Sequence, residues 1–196
     1  MTIDSRFAVI AAGFSGDIET ATAGLTDNDG SVRASALRAL ARIGSLPLEA
    51  IQSGLTDSDA EVRRTSAELC ATHSSVECHS LLDDSDVFVA EMAAWALGER
   101  SPISDVEIAT LIDRTTSHAE AVVREACAAA LGSIGDIRGL PAILAACSDK
   151  PAVRRRAILA LAPFEGDEVD AALTNALTDK DWQVRQNAED LLNPRS

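Results

Sequence analysis

A Val-Arg dipeptide recurs at Val32-Arg33, Val62-Arg63, Val123-Arg124, Val153-Arg154 and Val184-Arg185, and a degenerate copy stands at Val89-Ala90. Successive valines are 30, 27, 34, 30 and 31 residues apart. A period of about thirty residues restricts the chain to a stack of similar units, each resting on its neighbours. Such stacks present surface more readily than they enclose chemistry.

The valine register reads as helices. Counting each valine as position 0, position +4 is Ala36, Ser66, Ala93, Cys127, Ala157 and Ala188, and position +8 is Leu40, Cys70, Leu97, Leu131, Leu161 and Leu192. Apolar residues at this spacing, small in the middle, form the buried stripe of a helix that must approach another backbone closely. Position −3 is Asp29, Asp59, Asp86, Glu120, Lys150 and Asp181. Four aspartates there suit the N-cap of the helix that follows. Pro151 fits the first helical position, and Gly44, Gly135 and Gly166 fit helix ends. A first helix precedes each of these, closing near position −7 at Leu25, Leu55, Leu82, Thr116, Ala146 and Leu177.

The expected pairs are 17–26 with 30–43, 46–55 with 60–73, 75–82 with 87–99, 104–115 with 119–133, 137–146 with 151–163, and 167–177 with 181–192. Ser5 to Gly13 reads as a capping half-unit, Asn193-Pro194 as a stop, and Ser101-Pro102 as the site of a bend or loop excursion.

The runs Leu-Thr-Asp-Asn-Asp-Gly-Ser-Val-Arg (25–33), Leu-Thr-Asp-Ser-Asp-Ala-Glu-Val-Arg (55–63) and Leu-Thr-Asp-Lys-Asp-Trp-Gln-Val-Arg (177–185) resemble short HEAT-like repeats. So does Ala-Ala-Ala-Leu-Gly-Ser-Ile-Gly-Asp (128–136). Repeats of this type occur in phycobilisome lyase subunits and in many bacterial repeat proteins. The resemblance implies an all-α, right-handed α-solenoid of about six HEAT-like helix pairs with an N-terminal capping half-repeat, forming a single domain over 1–196. It also implies an arginine–aspartate ladder between units, with Arg33, Arg63, Arg124, Arg154 and Arg185 pairing with Asp27, Asp57, Asp84 and Asp179. The ladder is expected to break at Ala90, and where His118 and Ser148 replace aspartate. On a reused scaffold, function belongs to the surface.

With 0, +4 and +8 inside, positions −1, +2 and +6 face outward, with −2 and +3 at their edges. Unit one offers Ser31, Ala34 and Arg38, unit two Glu61, Arg64 and Glu68, and unit six Gln183, Gln186 and Asp190. Unit three offers Val87, Phe88, Glu91, Met92 and Trp95, and units four and five continue with Val122, Ala126, Ala129 and Leu159 beside Arg155 and Arg156. Aromatic residues and methionine grouped beside arginine have the composition of an interaction hot spot. The expected partner surface is therefore Arg64, Glu68, Val87, Phe88, Glu91, Met92, Trp95, Val122, Arg155 and Leu159. The competing reading has a rotated or shortened unit three in which Phe88 and Trp95 fill core. Trp182 reads as a cover for the last helix.

A formal net charge of −14 opposes a nucleic-acid groove and an anionic membrane surface. Apolar runs are too short to span a bilayer. Four cysteines in a chain of this size form no secreted framework and point to the cytoplasm. Cys70, His73, Cys78 and His79 are zinc-ligand types in a short stretch, but Cys70 takes a core position and the spacing matches no standard module. No histidine precedes glutamate, as the di-iron hydroxylases built on such repeats require, and no phosphate loop or nucleophile elbow is present. The expectation is a scaffold without catalytic residues, metal or cofactor, binding a protein partner on the concave face lined by the second helices and centred on unit three. The alternatives are a subunit of a chromophore-lyase-like enzyme and homo-oligomerisation through the Trp95 patch.

Overall fold

A computed structural model describes residues 3–193, all of whose regular elements are helical. They form two compact units, one up to Ala96 and one from Leu97. Pro194, expected to stop the last helix, lies outside the described residues.

In the first unit, α1 (Ile3–Ser15) and α2 (Ile18–Ala23) pack on α3 (Gly30–Ile43), followed by α4 (Leu48–Gly54), α5 (Ala60–Leu69) and α6 (Val87–Gly98), whose last two residues enter the second unit. The second-position helices α3 and α5 lie against each other. Val9 and Ala12 of α1 join Val32, Ala36, Ala39 and Leu40 of α3 in one core. Leu37 and Ala34 meet Val62 of α5 in another. Ala34 was expected outside, yet it is fully buried, because α3 is flanked by α1 and α5 and buries a wider arc than a lone stripe.

In the second unit, α7 (Asp105–Ser117) and α9 (Leu140–Ala146) supply first helices, and α8 (Ala121–Ile134), α10 (Pro151–Ala160) and α12 (Trp182–Leu192) pack in series, with α11 (Asp167–Ala176) against α10 and α12. Glycine sets the spacing of this series. A Cβ on Gly132 would lie 2.6 Å from the Ala160 Cα, and one on Gly98 would lie 2.9 Å from the Ala130 Cα. Both contacts are with backbone, which cannot swing aside, so these helices approach at a distance only glycine permits. Ahead of α7, Ser104 and Glu107 form a reciprocal capping box. Arg100 reaches back to Glu107, and both are buried.

The valine register is reproduced closely. Every residue at positions 0, +4 and +8 is buried except Leu192, which is half-buried. The four aspartates at −3 cap as expected, Asp29 accepting the Ser31 amide, Asp59 that of Glu61, Asp86 that of Phe88 and Asp181 that of Gln183, at 2.7 to 2.9 Å. Unit three departs from expectation. Residues 75–82 hold no α-helix, only a 3₁₀ segment, His79–Asp83. α5 stops at Leu69, and His73 turns its Nδ1 onto the Leu69 carbonyl at 2.8 Å. The step of 27 residues leaves too few for a full first helix. Val76, Cys78, Leu81 and Leu82 are buried from turns instead.

Candidate interaction surface

Each rung of the arginine ladder is a two-pronged ion pair. Arg33 donates Nε and Nη2 to Asp57 at 2.8 and 2.6 Å, and Arg63 does the same to Asp84 at 2.7 and 2.8 Å. In the second unit Arg124 grips Asp149 and Arg154 grips Asp179 in the same way, at 2.6 to 2.8 Å. The remaining nitrogen, Nη1, donates to a carbonyl in the arginine's own unit, for example Asp27 O for Arg33 and His118 O for Arg124. Ser148 does not break the ladder as expected, because Asp149, one residue later, takes the arginine. Arg185 donates to the Asp179 and Lys180 carbonyls. Ala90 is fully buried and carries no rung.

The arginine hydrogen bonds hold the Asp57, Asp84, Asp149 and Asp179 carboxyls below their ordinary range, against the opposing effect of burial. The same bonds raise the arginines. These groups are committed to stacking and are unsuited to proton transfer.

The residues expected on the binding face divide between the units. In the first, α6 buries Val89, Ala90, Ala93, Ala94, Ala96 and Leu97 completely. Its other side leaves Phe88 59% and Trp95 46% exposed, with Val87, Glu91 and Met92 half-buried. These rings do not fill core. Arg64 and Glu68 are exposed on α5, and Glu68 and Glu61 both approach Arg38, at 3.7 and 3.6 Å. Such long, exposed pairs are easily exchanged for a ligand's charge.

In the second unit Val122 is half-buried on α8, and Leu159, 43% exposed, stands on α10, which packs against α8. Arg155 turns its Nε to Asp181 at 3.0 Å, which ties α10 to the cap of α12. Trp182, in the first turn of α12, is 64% exposed. The sequence reading gave little weight to α1, where Phe7 and Phe14 are the most exposed large apolar side chains described. The signal was present as Phe7, Ile10 and Phe14, whose spacing defines a helix face.

Two clefts repeat at equivalent register. One, of about 350 Å³, opens between the 3₁₀ turn Gly24–Thr26 and α4, with Leu25, Leu37 and Val62 in its wall beside the Arg33–Asp57 pair. Another, of about 260 Å³, includes Cys147, Ser148 and Asn175 beside Asp179. The Cys147 thiol donates to the Ile143 carbonyl, and burial pushes it up to about 11, so it is protonated and unreactive at neutral pH. Cys70 and Cys78 are buried, and no three His, Cys, Asp or Glu side chains among the described residues come together to hold a metal ion. No helix among the described residues is long and apolar enough to cross a membrane.

Helix pairs, repeating caps and a ladder between neighbours define an α-helical repeat protein of solenoid class. Residues 108–193 match the family model of HEAT repeats. This match, and the repeat proteins of similar fold, support a HEAT-repeat reading of the chain. Among solved structures it is similar to YibA of E. coli, at 17% identity over 95% of this chain and 74% of that one, with a TM-score of 0.66. A designed armadillo repeat protein in complex with the peptide (KR)4 is similar at 17% identity over 90% of this chain and 98% of its own, with a TM-score of 0.63. An engineered protein is 25% identical with a TM-score of 0.59, and the match spans 95% of this chain but 60% of that one. No curated protein matches the chain in sequence.

Proposed function

We propose that the chain is a non-enzymatic protein-interaction module whose partner docks on the outward side of the second-position helices, centred on α6. One observation carries this reading: Phe88 and Trp95 lie exposed on a helix whose opposite side is already fully buried. The fold gains nothing from two aromatic rings in water, whereas rings of this kind, ringed by polar side chains, supply most of the energy at protein interfaces. Met92 adds an adaptable apolar contact, and Arg64, Glu68 and Glu91 supply the polar rim. Val122, Arg155 and Leu159 are assigned to the same role in the second unit. A designed armadillo protein of similar fold is in complex with a peptide, which supports a protein segment as the ligand. A reducing, cytoplasmic setting belongs to this reading.

The test is affinity capture with wild type and with Phe88→Ala/Trp95→Ala. Both positions are exposed, so the variant keeps its helical circular dichroism. A direct partner is recovered by wild type, and its affinity falls at least about tenfold in the variant. Equal recovery by both chains refutes the α6 surface.

A further inference from the structure

The exposed stripe of α6 alternates ring, carboxylate and ring. Phe88, Glu91 and Trp95 fall at i, i+3 and i+7, so Glu91 stands about one helical turn from each ring and shares their side of the helix. Glu91 is the one charged residue of α6, and among the described residues no cation pairs with it. Elsewhere in the same unit both kinds of group are already served. Arg38 lies by Glu61 and Glu68, Arg6 reaches Glu61, and the Arg42 guanidinium lies 4.2 Å from the Phe14 ring centroid. Arg33 and Arg63 are held in the ladder. Five of the six arginines in residues 1–96 are thus engaged, and those residues hold fifteen aspartates and glutamates and no lysine. The unit is short of cations, and at α6 the shortage leaves a carboxylate and two rings standing together without one.

We infer that the α6 stripe receives a cation, supplied by a basic segment of the partner that seats an arginine guanidinium against Glu91 with its flat face on the Trp95 or Phe88 ring. This rests on the α6 docking proposed above and adds the chemistry of its ligand. A guanidinium suits the stripe because it stacks on a ring through its face while donating hydrogen bonds to a carboxylate through its edge. Arg42 on Phe14 shows the stacking half of this geometry within the same unit. A purely apolar segment would cover the rings and strand the Glu91 carboxylate, and an acidic one would meet like charge. Arg64 holds the register position on α5 that Glu91 holds on α6, so it repels a cation there and confines the site to α6.

Trp95 reports its own occupancy. The chain has two tryptophans, so a Trp182→Phe background leaves Trp95 as the sole indole. In that background the probe is a capped peptide of alternating arginine and glycine, titrated at about 0.15 M salt, where charges more than about 8 Å away are largely screened. Its control carries citrulline, which keeps the shape of arginine without the charge. The variants are Glu91→Gln, Phe88→Ala and Glu49→Gln, the last removing an exposed carboxylate on α4, and each is checked for helical content. The expected result is a saturable change in Trp95 fluorescence with the arginine peptide, weakened at least about tenfold for citrulline and at least about threefold by Glu91→Gln and by Phe88→Ala. Glu49→Gln should alter it by less than about 1.5-fold. No saturable change up to millimolar peptide overturns the inference, as does equal binding of the citrulline peptide. A Glu91→Gln chain that binds like wild type also overturns it, and so does an equal loss in Glu49→Gln, which would make the attraction one of overall charge. A captured partner that is lost with Phe88→Ala/Trp95→Ala yet keeps its affinity for Glu91→Gln leaves the α6 surface standing and removes the cation from it.

Discussion

Asp57 shows how much one side chain does in this fold. Its carboxylate takes the two-pronged Arg33 donor from the neighbouring repeat and, through Oδ1, also accepts the Asp59 amide at 2.8 Å. It thereby fixes the turn that presents Asp59 as a cap and joins that turn to the preceding helix. Asp84 repeats this with Arg63 and the Asp86 amide. Removing a mostly buried charge-assisted acceptor strands its donor, so Asp84→Ala is expected to lower unfolding free energy by about 2 kcal/mol in urea titrations. Arg38→Ala, which loses only long and exposed pairs, is expected to change it by less than about 0.5 kcal/mol. The arginines were legible from the dipeptide alone. Asp149 was not, because its turn is displaced by one residue ahead of Pro151 and the repeat count pointed to Ser148.

At the scale of elements, the second-position helices were the most legible, since a valine stripe, an aspartate cap and a terminal glycine all specify the same boundaries. α3 was expected over 30–43 and is found there. The first helices carry weaker stripes and were less legible. Where the step between valines shortens, around Ser74 and Ser75, turns replace the helix. Tight packing between second-position helices yields a specific expectation: Gly132→Ala drives a methyl group into the Ala160 backbone. It should lower stability by about 1–3 kcal/mol, read as a fall in melting temperature with helicity retained. An unchanged melting temperature would show that α8 and α10 can separate at no cost.

For the whole molecule, the rungs tie stability to pH. The four ladder aspartates are held below their ordinary carboxyl range, so the folded chain binds their protons less readily than the unfolded chain. Their stabilisation is therefore complete above about pH 4 and is lost as pH falls through the lowered folded values. Urea midpoints measured from pH 5 down to pH 2.5 should drop, with a shallower drop in Asp84→Asn. A net charge of −14 acts at the same scale in the opposite sense. Screening by about 0.5 M salt should relieve this self-repulsion and raise the urea midpoint slightly, whereas the partly buried rungs respond little. By itself the sequence determined that the chain is a helical repeat and where each repeat turns inward, because burial in a stack is periodic and each unit restates the same rule. Only the tertiary structure decided which apolar residues stay in water. Phe7, Phe14, Phe88 and Trp95 have the same hydrophobicity as core residues, and exposure depends on whether a neighbouring helix covers that side. That is a property of packing between elements, which no single stretch of chain encodes.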